Sequence, residues 1–92
     1  MIIEDILSVK TGKTRTDGRY PLRIGCTVTP MPISCGCRMF LVYVADRDGK
    51  PKDGVLCTSP VQSTMESDTA LIVKTEHSIY TLRKDIRHGG VG

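Results

Sequence analysis

Four cysteines are the residues of this chain whose chemistry is easiest to name. They are Cys26, Cys35, Cys37 and Cys57. Four thiolates can hold a structural zinc ion, but such sites usually consist of two pairs whose cysteines are separated by two to four residues. Only one residue separates Cys35 from Cys37, and the other two are isolated. We therefore expect no metal and no disulfide, with Cys26 and Cys57 buried as small apolar residues; zinc on all four is the alternative.

The two histidines give little support to nucleophilic catalysis, which needs a base beside a thiol or a hydroxyl. His77 lies between two predicted strands, where we expect it to be exposed, and His88 lies in a glycine-rich tail. No pair of carboxylates is placed by the pattern at a strand end with an obvious pocket. The sequence therefore predicts a protein that is not an enzyme, with no catalytic residue and no cofactor.

Positive charge is concentrated in one segment of the chain. The net charge is +3, from 13 Lys and Arg against 10 Asp and Glu. Residues 10–23 hold five bases and one acid, whereas residues 66–76 are net acidic. Such clusters attract phosphates or an acidic protein face. The predicted binding surface consists of Lys10, Lys13, Arg15, Arg19 and Arg23.

Strands must position these side chains, because a period of two dominates the hydrophobic pattern. Residues 20–28 alternate between apolar and other residues, which predicts a strand with one buried face that ends at Pro30. Residues 39–45 are apolar on both faces and predict the central strand. Turn residues follow at 46–54, and a strand resumes at 55–58. The connection from 60 to 68 can form a single helical turn.

The best-defined element is a hairpin near the end of the chain. Residues 70–75 and 78–83 are strand-like and flank Glu76-His77. A two-residue turn there would place Val73 opposite Tyr80 and Leu71 opposite Leu82, all on one core-facing side.

These elements predict an all-β fold: a small five- to six-stranded barrel or strongly curved antiparallel sheet, SH3-like or OB-like, with little helix. The first residues are expected to form a strand or one irregular turn. We expect a single β domain at 1–87 and a flexible tail at 88–92. The longest apolar stretch is too short to span a bilayer, and acids follow Met1 where a secretory signal would carry bases. The expected location is the cytoplasm.

Three segments resemble small uncharacterised β proteins of phages and mobile elements. They are residues 18–25, residues 58–61 and residues 73–82. In those proteins the last segment often reads Thr-x-Asn-Ser-x-Tyr-x-Leu, and this chain has His77 in place of the Asn. The resemblance brings no catalytic residue with it. It implies an accessory role in phage–host conflict, such as inhibiting a host defence protein or sequestering a nucleotide signal.

Three functional hypotheses follow. The first is a non-enzymatic binding module in the host cytoplasm that occupies the surface of a host protein. The second is a nucleic-acid or nucleotide-signal binder that uses residues 10–23, although one Phe, three Tyr and no Trp leave few rings for stacking. The third is a homo-oligomeric structural or assembly protein whose strand edges pair. None of the three involves a membrane.

Overall fold

Six antiparallel strands form a ring-shaped sheet in a computed structural model that describes residues 1–84. The strands are β1 (Ile2–Ser8), β2 (Thr27–Pro30), β3 (Arg38–Ala45), β4 (Val55–Glu66), β5 (Ala70–Thr75) and β6 (Ser78–Arg83). One four-residue helix, α1 (Tyr20–Arg23), lies between β1 and β2. Each strand pairs with its neighbours in the chain, and β1 also pairs with β6. The all-β prediction is confirmed, with a meander order that differs from the Greek-key order of an OB-fold.

One apolar core fills the ring, and each of the six strands contributes at least one buried side chain to it. Its buried members are Ile3, Ile6, Val28, Met39, Leu41, Leu56, Val61, Val73, Tyr80 and Leu82. β3 begins one residue before the predicted strand and ends where predicted. Its other face is not covered, since Phe40 and Val44 are exposed. The strand is therefore apolar on both faces, as its sequence shows, but only one of these faces is buried.

The hairpin of β5 and β6 has the predicted bounds and register. Val73 lies opposite Tyr80, and Leu71 lies opposite Leu82. A buried threonine closes the turn: the Thr75 hydroxyl donates to the Ser78 carbonyl at 3.0 Å and accepts from the Ser78 N–H at 3.1 Å. This local bonding accounts for a tight turn without the Asn-Gly or Asp-Gly pair that type I′ turns favour.

The predicted strand from Tyr20 to Val28 is wrong over its first half. Proline has no N–H to donate to a neighbouring strand, but its fixed φ suits the first turn of a helix. Pro21 lies in the first turn of α1. Gly25 then adopts a φ of +96°, which interrupts an extended chain, and β2 begins only at Thr27. Tyr20 and Ile24 still pack against the core, although from a helix and its end.

β4 is longer than predicted and changes partner along its length. Residues 55–60 pair with β3, and residues 61–66 pair with β5. The predicted helical turn between 60 and 68 is therefore wrong, because these residues continue the strand as far as Glu66. The first residues of the chain form β1, as one of the two expectations had it. The predicted tail, 88–92, lies outside the described residues.

Within residues 1–84, no helix combines the length and the apolar character needed to cross a membrane.

Ionisation of the buried Tyr80 phenol is expected to lower the free energy of unfolding at alkaline pH. Burial raises its pKa to about 12, whereas a tyrosine in the unfolded chain ionises near pH 10. Stability that is fully present below pH 10 is therefore lost as pH rises from 10 to 12, by up to about 2–3 kcal/mol. Urea unfolding at pH 8, 10 and 11.5 should show this loss. In the Tyr80→Phe variant the free energy of unfolding should fall less steeply as pH rises above 10. An equally steep fall would contradict the assignment of this loss to Tyr80.

Candidate functional site

The five predicted basic residues do not line a single surface. Lys10 and Lys13 lie in the exposed loop after β1, and each lines a shallow depression shared with Arg15. Arg19 precedes α1 as its N-cap and Arg23 is its last residue, and both line a separate cleft on the side of β4. The cleft therefore holds only Arg19 and Arg23 of the five, whereas Arg15 lies beside Lys10 in one depression and beside Lys13 in the other. A role in binding stays a prediction for all of them.

Arg15 is engaged within the fold. Its guanidinium donates to both carboxylate oxygens of Asp17, at 2.7 and 3.1 Å, and to the Ser78 hydroxyl at 2.9 Å. The bond to Asp17 raises the pKa of Arg15, and the same contact lowers the pKa of Asp17. Only 18% of the Arg15 side chain is exposed. Arg15 therefore ties the β1–α1 connection to β6 and has few donors left for a ligand.

The ring of Tyr20 is also occupied. The guanidinium carbon of Arg15 lies 4.0 Å from the ring centroid, and that of Arg23 lies 4.9 Å from it. Both contacts are within the range of cation–π attraction. A nucleic-acid base could stack on Tyr20 only by displacing a guanidinium group, so this ring is a poor platform for single strands.

A cleft of about 300 Å³ lies between α1 and the beginning of β4. We call it the basic cleft. It is lined by Arg19, Leu22, Arg23, Tyr43, Lys52, Val55, Leu56 and Cys57. Three of these residues are cations and none is an acid. Positive groups that converge in a concave site attract a carboxylate or a phosphate.

Lys52 is the cation of the basic cleft that the charge pattern of the sequence did not predict. It belongs to the connection between β3 and β4, which is held by the Asp46 carboxylate: this accepts from the N–H groups of Asp48 and Lys50 at 2.9 and 3.0 Å. The bond from Lys50 is the main cause of the lowered Asp46 pKa. The Lys52 N–H donates to the Val44 carbonyl at 3.1 Å, and the Lys52 ammonium lies 4.9 Å from the Tyr43 ring centroid. The turn pattern could predict the loop but not what Lys52 faces.

Apolar side chains form the other wall of the basic cleft. Leu22 is 65% exposed and Val55 is 54% exposed, so the cleft combines cations with uncovered hydrocarbon. Tyr43 is half-buried, and burial raises the pKa of its phenol above the usual value. Partners that present carboxylates beside apolar side chains match this combination.

The cysteines divide between core and surface. Cys26 is buried as predicted, and burial raises the pKa of its thiol, which disfavours the reactive thiolate. The predicted burial of Cys57 is wrong, because Leu56 is the inward residue at this point of β4 and its neighbours face outward. All four thiols are free, and residues 1–84 contain no cluster of three or more His, Cys, Asp and Glu side chains that could hold a metal. His77 is exposed, as predicted.

Comparisons with protein-family models, with curated proteins and with solved structures gave no match.

Proposed function

We propose that this protein is a non-enzymatic binding module that holds an acidic surface of a partner protein in the basic cleft. The observation that carries the proposal is the convergence of Arg19, Arg23 and Lys52 on one cleft with no acid in its lining. Two of these cations come from α1 and its cap, and the third comes from a connection 29 positions later in the chain. Such a set steers and orients an acidic partner.

A protein surface suits the cleft better than a strand of nucleic acid does. Within residues 1–84, Tyr43 is the one aromatic side chain that lines the cleft, and a cation already lies near its ring. Leu22 and Val55 add exposed hydrocarbon, which contributes to a protein interface and gives nothing to phosphates. A nucleotide signal is the second candidate, because about 300 Å³ lies at the small end of ligand pockets.

The resemblance of residues 18–25, 58–61 and 73–82 to small phage and mobile-element proteins supports a finer proposal. The partner is a host protein, and the module acts in the host cytoplasm by covering a surface that a defence protein needs. Inhibition of this kind requires occupancy alone, so it is compatible with a cleft that offers only anion recognition and apolar contact.

Charge reversal in the basic cleft is expected to abolish partner capture. The tagged wild type and the Arg19→Glu/Arg23→Glu/Lys52→Glu variant are used as baits in a bacterial lysate, and retained proteins are quantified by mass spectrometry. Specific partners should fall by about tenfold or more, because three attractive contacts become repulsive. Arg19→Glu/Lys52→Glu should show the same trend and leaves the contact of Arg23 with Tyr20 intact.

The matched control is Lys10→Glu/Lys13→Glu/Lys74→Glu, which makes the same change of net charge at exposed positions outside the cleft. It should retain the partners, and all variants should melt within a few degrees of the wild type. Equal losses for both triple variants would contradict a role of the cleft. Retention of oligonucleotides or nucleotides that is strongest at low salt, with no protein partner, would favour the second candidate.

A further inference from the structure

The first half of β4 has one unpaired edge. Residues 55–60 pair with β3, but pairing with β5 begins only at Val61. Glu76, just beyond the end of β5, donates its N–H to the Pro60 carbonyl, where β4 bends from one partner to the other. Within residues 1–84, no strand therefore covers the second edge of residues 55–59. An uncovered strand edge is a template for a further strand.

The hydrogen-bonding groups of this edge can be assigned from the register. The Tyr43 N–H donates to the Gly54 carbonyl at 2.9 Å, and Leu41 lies opposite Leu56. Bonded and non-bonded pairs alternate along an antiparallel ladder, so the backbone groups of Leu56 point toward β3. Those of Val55 and Cys57 point the other way, toward the open edge. The edge thus offers the N–H and C=O groups of two residues.

The open edge and the basic cleft are parts of one surface. Val55, Leu56 and Cys57 line the cleft, and Arg19 and Arg23 line it from the side of α1. A strand added to β4 would run about 4.8 Å from it, between the edge and these guanidinium groups. Carboxylates on alternate residues of such a strand would all project to one side of it.

We propose that an extended acidic segment of a partner protein docks on this edge as an additional β-strand. Its main chain bonds to Val55 and Cys57, and its carboxylates meet Arg19, Arg23 and Lys52. The inference rests on the proposed function and specifies how the partner is held. A second copy of this chain is a poor occupant, because edge-to-edge pairing would bring two sets of three cations together.

The probe is the octapeptide (Glu-Val)4 with a fluorophore on its N-terminus and an amidated C-terminus, titrated with the full chain and followed by fluorescence anisotropy. In an extended strand, residues whose N–H faces β4 are either all Glu or all Val, because both properties repeat every two residues. We therefore compare two analogues, one N-methylated on every Glu and one on every Val. One analogue should lose about tenfold or more in affinity and the other should stay near the parent peptide.

A variant of the protein tests the same edge from the other side. Cys57→Pro removes a donor that β3 does not use, whereas Cys57→Thr keeps it. The proline variant should bind (Glu-Val)4 about fivefold or more weaker with a melting temperature near that of the wild type, and the threonine variant should bind as the wild type does. If Cys57→Pro does not fold, the two methylated peptides still decide the question.

Equal affinity of both methylated peptides would overturn strand addition, and so would failure of (Glu-Val)4 to bind. So would self-association of the wild type that Cys57→Pro removes, because the edge would then pair with a second copy. In each case partner capture that depends on Arg19, Arg23 and Lys52 would leave the proposed function standing. Capture that is insensitive to those three residues would instead remove the proposed function itself.

Discussion

Val73→Asp is expected to be strongly destabilising at 25 °C. The Val73 side chain is fully buried and lies opposite Tyr80 in the β5–β6 hairpin. An unpaired carboxylate placed there must be desolvated or protonated, at a cost of roughly 3–5 kcal/mol. A domain of this size has a free energy of unfolding of about 5–10 kcal/mol, so the substitution removes between about a third and all of it. Far-UV circular dichroism with urea titration measures the loss.

The neighbouring position provides the control for this prediction. Lys74→Asp also places an aspartate on β5, but its side chain is exposed, so the expected change is within about 0.5–1 kcal/mol. A Val73→Asp protein with a cooperative transition like that of the wild type would mean that this strand does not face the core. The comparison separates burial from the mere presence of a negative charge on β5.

Among the glycines of residues 1–84, Gly25 is expected to be the one whose replacement by alanine is most damaging. Gly25 has a φ of +96°, and a Cβ there would lie 2.8 Å from the Cβ of Arg47. Its N–H also donates to the Ile3 carbonyl at 2.7 Å, beside the junction of β1 and β2. Backbone strain and steric contact together should cost about 2–4 kcal/mol. The measurement is the urea midpoint and the derived free energy of unfolding.

Gly18→Ala isolates the backbone part of that effect. Gly18 also has a positive φ, +55°, but no atom lies within 4 Å of the position that its Cβ would occupy. The Gly18→Ala variant should lose only the free energy that backbone strain costs, about 1–2 kcal/mol. Equal losses of unfolding free energy at the two positions would show that the Arg47 side chain moves aside without an energetic cost. The close approach of Arg47 to Gly25 would then not constrain the β1–β2 junction.

The β5–β6 hairpin could be predicted because its determinants are local. Two alternating runs separated by two residues allow one register in which Val73 and Tyr80 share a face, and the structure has that register. The strand predicted over 20–28 failed for a complementary reason. Alternation reports which side chains face the core, and Tyr20 and Ile24 do face it. It does not report whether the backbone has a hydrogen-bonding partner, and Pro21 cannot supply one of the two groups needed.

β4 illustrates a second limit of the pattern. Residues 61–66 become a strand because β5 lies beside them, while Met65 is exposed and gives no periodic signal. The same switch of partner leaves the edge at Val55 and Cys57 unpaired. A strand edge is a property of the neighbours that a strand has, so no window of sequence can reveal it.

The sequence by itself determined the all-β class, the core-facing hairpin and the cluster of bases at residues 10–23, because period, turn chemistry and charge depend on residues that are close in the chain. Only the tertiary structure decided which of those bases lie together. Folding places Arg15 in bonds to Asp17 and Ser78 and brings Lys52 to the cleft of Arg19 and Arg23. The physical reason is that a binding site is a set of distances across the chain, and the ring of strands sets those distances.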